Sequence, residues 1–488
     1  MTGNRRPLQQ GTLALALVVS LVAPLRPLAA PAADPIGWLQ GYLRIDTTNP
    51  PGGEAAAAAY LARILREHGV STRTFFTADG RASLYARVPG RRPGGGLLLL
   101  HHLDVVAPGP GWTREPFAGD LVAGELWGRG AIDVKGLGVA HLAAFLAVAG
   151  ADRPPERDVV FLAVADEESG GLRGTGWLWE TRPELFAGIG AVYGEGGANR
   201  VARGEVRWWG IEVAQKRPLW LEVRAHGRGG HASGINPHSA SHRLIAALAR
   251  LLEMPRRWRV TDPVRRYLAA LAPLHEGAVR ERFLDPDAWV GPDGPRGPML
   301  PGQPNLFLDT IQVTELEASD RINVVADEAA ARIDVRLLPD TDADELLARI
   351  RRALGADAEV EVLLAADPAP PSPTGHPAYR AAAEVLGEEA PVVPAFIAGF
   401  TDSRWFRERG IAAYGVDPFA LSGEVRRGIH GPDERIPVAE LRAGIERMRR
   451  IVAGYAGAGR PAAPGRDETG RGAAARAPET AEAPAPGG

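Results

Sequence analysis

The sequence predicts an α/β chain: a mixed sheet flanked by helices, with an inserted α+β module of ferredoxin-like order. Three observations predict it. Apolar runs such as Leu97 to Leu100 and Asp158 to Ala165 alternate with helical stretches as far as Gly194, the pattern of a sheet covered on both faces. Near Gln215 the order changes to β-α-β-β-α-β, the split βαβ of a small sandwich. From Pro377 helix and strand signals resume, so the first domain closes after the interruption.

The N-terminus has Arg5 and Arg6 ahead of an apolar run from Leu13 to Leu25, then Ala30-Pro31-Ala32 at cleavage spacing. Residues 1–32 therefore read as an export signal, with an uncleaved anchor as the alternative. Either form predicts a periplasmic or secreted protein. The first part of the larger domain spans 34–214. Its elements are a helix Glu54–His68 closed by Gly69, strands at Ala82–Val88 and Leu97–His102, a helix Val134–Ala149, a strand Asp158–Ala165, a helix Leu172–Glu180 and a strand Ile189–Gly194. The inserted domain spans 215–367: strand Leu219–Ala225, helix His238–Leu252, strands Asn305–Val313 and Ala329–Leu337, helix Ala343–Leu354 and strand Glu359–Leu364. Within it, 255–304 is rich in Pro, Arg and Trp. It reads as a long loop, either with a job of its own or poorly ordered. Pro368–Pro373 is a linker, 374–456 the second part of the larger domain, and 457–488 a tail too poor in large apolar residues to order itself.

A formal net charge of −3 sets up no global field toward nucleic acid or an anionic membrane. The basic string Pro255-Arg256-Arg257-Trp258-Arg259 reads as a solvated face. The 488 residues include no cysteine. That excludes disulfides, a thiolate nucleophile and a thioether lipid anchor, so any metal site must be built from His, Asp and Glu.

Five strings carry the chemistry. In Leu97-Leu98-Leu99-Leu100-His101-His102-Leu103-Asp104, a buried strand ends in polar residues, and His102 and Asp104 share one face. A carboxylate so placed can take the ring N–H of a ligating histidine; a capped core histidine is the plainer alternative. Asp133 stands just before a helix, where it is either a ligand or an ordinary N-cap. Asp166-Glu167-Glu168 follows an apolar strand directly. Three adjacent acids there need cations or a solvated loop. Glu195 ends another strand, and His430 sits in the turn Gly428-Ile429-His430-Gly431-Pro432-Asp433-Glu434.

Taken with Pro108-Gly109-Pro110-Gly111-Trp112, Trp127-Gly128-Arg129-Gly130 and Gly230-His231-Ala232-Ser233, these strings resemble metallopeptidase family M20 over nearly the whole chain. That is the di-metal exopeptidase and amidase family of aminoacylase, acetylornithine deacetylase, carnosinase and carboxypeptidase S. The long insertion and Glu195-Gly196-Gly197 look nearest the carboxypeptidase S branch. The resemblance implies that 34–214 and 374–456 form a zinc-exopeptidase-like catalytic domain, that 215–367 is a lid and dimerisation domain, and that two divalent ions are bound, zinc first with cobalt or manganese as alternatives. His102 and Glu195 would hold one, His430 and Glu168 the other, and Asp133 would bridge. It implies Glu167 as general base, Asp104 as partner of His102, and His231 as an oxyanion-stabilising group reaching a partner's site in a homodimer. Asn323 and Arg336 match positions that grip the substrate carboxylate. Arg404 is a further candidate, although Phe400 replaces the usual glycine-rich lead-in to Thr401. The charges agree: two divalent ions against three carboxylates leave about +1, which a hydroxide can neutralise.

The expected activity is hydrolysis of an amide bond in a small peptide or N-acyl amino acid bearing a free carboxylate. Two rivals stand beside it. One is net synthesis of N-acyl amino acids by the same site, and the other is a catalytically dead metal-binding receptor.

Overall fold

A computed structural model describes residues 34–299 and 303–457. The export signal read at 1–32, and the tail from residue 458 onward, lie outside the described residues. Among the described residues, no helix is long and apolar enough to cross a membrane.

The larger sheet is built from β1 (Thr72–Phe76), β2 (Ala82–Val88), β3 (Gly96–His102), β4 (Val159–Val164), β5 (Ile189–Gly194), β6 (Glu205–Gln215), β11 (Val392–Ile397) and β12 (Ala412–Gly415). The second sheet takes β7 (Arg217–His226), β8 (Thr310–Glu317), β9 (Glu328–Leu337) and β10 (Glu359–Ala365). The larger sheet runs β1-β2-β4-β3-β5-β12-β6-β11, with a short strand, Arg200–Ala202, beside β6. Its middle is parallel, β3 pairing with β4 and β5, and β5 with β12. Every residue of β3 and of β4 is buried, which is why both read as unbroken apolar runs rather than alternating ones. Helix α1 (Glu54–Glu67) lies on β2. Helix α2 (Lys135–Ala149) is apolar almost all round because it is wedged between β3 and the C-terminal helix Val438–Ala456.

The second sheet runs β8-β9-β7-β10 and is antiparallel throughout. Leu219, Leu221 and Val223 alternate inward on β7. They meet Ile333 and Val335 of β9, and Leu244, Leu248 and Ile350 from helices α3 (Ala240–Leu252) and α6 (Ala343–Leu354).

The segment 255–304 departs from the expected loop. It holds α4 (Asp262–Leu271) and α5 (Gly277–Leu284). Val264, Tyr267, Leu268, Leu271, Phe283 and Trp289 join the core of the larger sheet, with α4 against β11. The helical spacing at 264, 267, 268 and 271, with Pro263 in the first turn, was present in the sequence but masked by the surrounding Pro and Arg. The chain thus leaves the first core for the second sheet, returns in α4 and α5, leaves again for β8, β9 and β10, and returns once more. The strand expected at Asn305–Val313 begins later, at Thr310, because Gln303–Leu306 forms a 3₁₀ turn.

Candidate metal centre

Parallel strands deliver side chains to one edge of a sheet, and three of them do so here. His102 ends β3, Glu167 and Glu168 follow β4, and Glu195 follows β5. Asp133 comes from the turn before α2, and His430 from the loop ahead of the strand Arg435–Pro437. His102 Nε2 lies 3.2 Å from Asp133 Oδ1, 3.5 Å from Glu195 Oε2 and 4.0 Å from Glu167 Oε2. His430 Nε2 lies 3.1 Å from Asp133 Oδ2 and 3.3 Å from Glu168 Oε2. The two oxygens of Asp133 therefore face two different histidines.

One alternative for Asp133 is removed. Helix α2 starts at Lys135 behind Val134, with no side-chain cap, so Asp133 is not an N-cap. The orientation of His102 is equally defined. Its Nδ1 lies 2.9 Å from the main-chain oxygen of Asp104. A carbonyl only accepts, so Nδ1 carries a hydrogen and Nε2 is the nitrogen turned toward the carboxylates. The Asp104 carboxylate lies farther off, 3.6 Å from Nδ1. It instead accepts from the main-chain N–H groups of Glu167 at 3.2 Å and Glu168 at 3.1 Å. The expected contact from the Asp104 side chain to the ring is thus made by its backbone, because the carboxylate is occupied in aiming the two glutamates.

The electrostatics describe a cluster short of positive charge. Hydrogen bonds to Asp133 and Glu168 push His430 up to about 10. Burial opposes a charge on His102, yet Glu195 and the hydrogen bond to Asp133 hold its imidazolium well above the ordinary range. Burial, with the nearby Asp133, pushes Glu168 up to about 7. Burial and then Glu195 push Glu167 well above the carboxylate range against the pull of His102. Protons do here what divalent cations would do better. The donor set suits such ions, since it offers nitrogen and oxygen atoms from two groups whose ligand atoms lie within 4.8 Å of one another. Glu168 Oε1 is buried with no hydrogen-bond partner, as an atom meant for a cation would be.

Of the three adjacent acids, Asp166 has a different task. Its carboxylate meets Arg81 Nη1 at 3.0 Å and accepts from Arg173 N at 2.8 Å. Arg81 also binds the buried Glu54. Asn49 donates to Asp104 Oδ2 at 2.8 Å, and Asp402 lines the cleft beside Glu167 and Glu195. Sequence reasoning missed Glu54, Arg81, Asn49 and Asp402. An Asn before two prolines reads as a turn, and a lone Arg just ahead of a strand reads as surface.

The remaining candidates make other contacts. His231 is exposed on the two-residue strand Gly230–His231, paired with Val324–Val325, and its Nδ1 lies 2.9 Å from Ser233 Oγ. Asn323 is beside it, accepting from Ala232 N at 3.1 Å through its carbonyl. Arg336 forms a bidentate pair with Asp334, at 2.6 and 2.7 Å, and lies 4.5 Å over the ring of Phe400. Arg404 is buried and donates to Gly170 O at 2.8 Å, so it braces the loop that follows Glu168.

The chain matches the pattern of Peptidase family M20/M25/M40 over residues 98–454. It is 32% identical over 448 residues to a succinyl-diaminopimelate desuccinylase of a Methylobacterium species, covering 88% of this chain and 98% of that one. It is 26% identical over 424 residues to human aminoacylase-1, covering 84% and 92% respectively. The fold matches an M20 family metallo-carboxypeptidase from Sulfolobus solfataricus with a TM-score of 0.67 at 21% identity, covering 87% and 99%. With the ligand-type residues gathered at the carboxyl edge of its sheet, this chain belongs to peptidase family M20/M25/M40 and is a hydrolase of that family.

Proposed function

We propose that the protein hydrolyses the amide bond of small peptides or N-acyl amino acids that carry a free carboxylate. The observation that carries this reading is the divergence of two adjacent acids. Glu168 faces His430, whereas Glu167 faces the cleft of His102 and Glu195. One carboxylate is thereby available to ligate and the other to move a proton. His102, Glu195, Asp133, Glu168 and His430 would hold two divalent cations, zinc first. When bound, these would activate water and polarise the scissile carbonyl. Glu167 takes the proton from the attacking water and passes it to the leaving amine nitrogen. His231, supplied by the second subunit of a homodimer, stabilises the developing oxyanion. Arg336 exchanges its pairing with Asp334 for the substrate carboxylate, which its planar fork also fits. The basic n-region and apolar run of the N-terminus support action in the periplasm or outside the cell.

The relatives support an acyl or peptidyl amide as substrate, because their names record desuccinylation and acylase activity. The test is a panel of dipeptides and N-acyl amino acids, each with its C-terminally amidated analogue, assayed with zinc, cobalt and manganese. Turnover of the free acids well above their amides is expected. A metal-loaded chain inert on the whole panel would make it a binding protein instead. Equilibration of fatty acid with amino acid would separate hydrolysis from net synthesis.

A further inference from the structure

One buried carboxylate outside the ligand set joins two parts of the chain that hold ligands. Glu434 is fully buried. Its Oε1 accepts from the main-chain N–H of Ile132 at 2.7 Å and of Asp133 itself at 2.9 Å. Its Oε2 accepts from Gly130 N at 2.8 Å and from Arg129 Nη1 at 2.7 Å. Four donors thus converge on one carboxylate, three of them from the main chain of the Asp133 turn. Arg129 completes the connection by donating to Gly431 O at 2.8 Å, next to His430.

The loop that carries His430 needs such support. His430 has φ 56° and Asp433 φ 59°, left-handed conformations that a side chain disfavours. The loop is also tightly folded: a Cβ on Gly428 would meet Glu434 Cα at 2.8 Å. Asp133 is the residue whose two oxygens face the two histidines, so a shift of its turn relative to the His430 loop would disturb both halves of the centre together.

We propose that Glu434 is the positioning residue that sets the spacing between the two halves of the metal centre, tying the Asp133 turn to the His430 loop. This rests on the metal-centre reading above, and carries it beyond the ligands. Glu434→Gln keeps the shape but turns an amide N–H₂ toward one pair of donors. Glu434→Asp keeps the charge but is one methylene too short to reach both pairs.

The experiment titrates the metal-free full-length protein and both variants with zinc against a chromophoric chelator, and melts each metal-free form. The wild-type chain should take up two zinc equivalents. In the variants the weaker equivalent should lose about 10–100-fold in affinity, the usual effect of removing a group that orients a ligand. The metal-free melting transition should remain cooperative. Wild-type affinity for both equivalents in either folded variant would overturn the proposal, even with a lowered melting temperature, because Glu434 would then be a structural anchor only. If Glu434→Gln does not fold, Glu434→Asp decides alone. A wild-type chain that binds fewer than two equivalents would overturn the metal centre, and this inference with it, whatever the variants do.

Discussion

Replacing Glu167 by alanine separates the two adjacent glutamates more cleanly than any other single change. The main chain at 167 and 168 is held by the Asp104 carboxylate through both N–H groups, so losing the Glu167 side chain leaves the backbone of Glu168 in place. Glu167 Oε2 is also the most distant of the three carboxylate oxygens around His102 Nε2, at 4.0 Å against 3.2 Å for Asp133 and 3.5 Å for Glu195. Metal retention follows from this. A positioned general base contributes about 10²–10⁴ in rate. At about 1.36 kcal/mol for each factor of ten, its removal should raise the barrier by about 2.7–5.4 kcal/mol. The assay pairs zinc content by atomic emission with kcat on an N-acyl amino acid. Two zinc equivalents with kcat reduced about 10²–10⁴-fold is the expected result. Loss of a zinc equivalent, or a kcat within tenfold of wild type, would refute the division of labour. Glu168→Ala should do the opposite and weaken metal binding.

Arg336→Ala should raise KM about 10–100-fold for substrates with a free carboxylate, as loss of a charge-assisted pair does, and largely spare their amides. Equal losses on both would assign Arg336 to its contacts with Asp334 and Phe400. If His231 acts across a dimer, mixing inactive Glu167→Ala and His231→Ala subunits should restore about a quarter of wild-type activity, since half the dimers are hybrids with one intact site. No restoration, with a monomer by light scattering, would end the trans arrangement. Arg81→Met should destabilise the metal-free chain by about 3–5 kcal/mol in urea unfolding, because Glu54 and Asp166 would be left buried without their cation. A change under about 1 kcal/mol would mean that water reaches both carboxylates.

How much of this could be read in advance differs from residue to residue, for physical reasons. His102, Glu167 and Glu195 were legible because each follows a run of residues too apolar to be anything but a buried strand, and strand ends converge at the sheet edge. Asp133 was ambiguous, because an N-cap and a ligand look the same until the first helical turn is placed. Glu434 was illegible. Three of its four partners are main-chain N–H groups some 300 residues earlier, and backbone donors have no residue type to recognise. The β-α-β-β-α-β order of the second module was read from its succession of strand and helix signals. Helices α4 and α5 were not, because their apolar stripe is short and surrounded by Pro and Arg. The pairing of Arg81 with Glu54 and Asp166 was hidden similarly, since an isolated Arg gives no sign of burial.

The double return of the chain bears on how the second sheet can be handled and how it can move. With β7 and α3 supplied before α4 and α5, and β8, β9, α6 and β10 after them, the sheet is not one contiguous stretch. A fragment beginning at β7 and ending at β10 would carry α4 and α5 without the surface that covers Val264, Tyr267 and Phe283, and should aggregate rather than fold alone. The module would have to be rebuilt with a short linker in place of α4 and α5. Four covalent crossings also restrain motion more than two would. They favour a twist of the second sheet about the edge of the first over a free swing away from it. Both halves must find partners distant in sequence before either core closes, so folding should be slow and sensitive to truncation at either end.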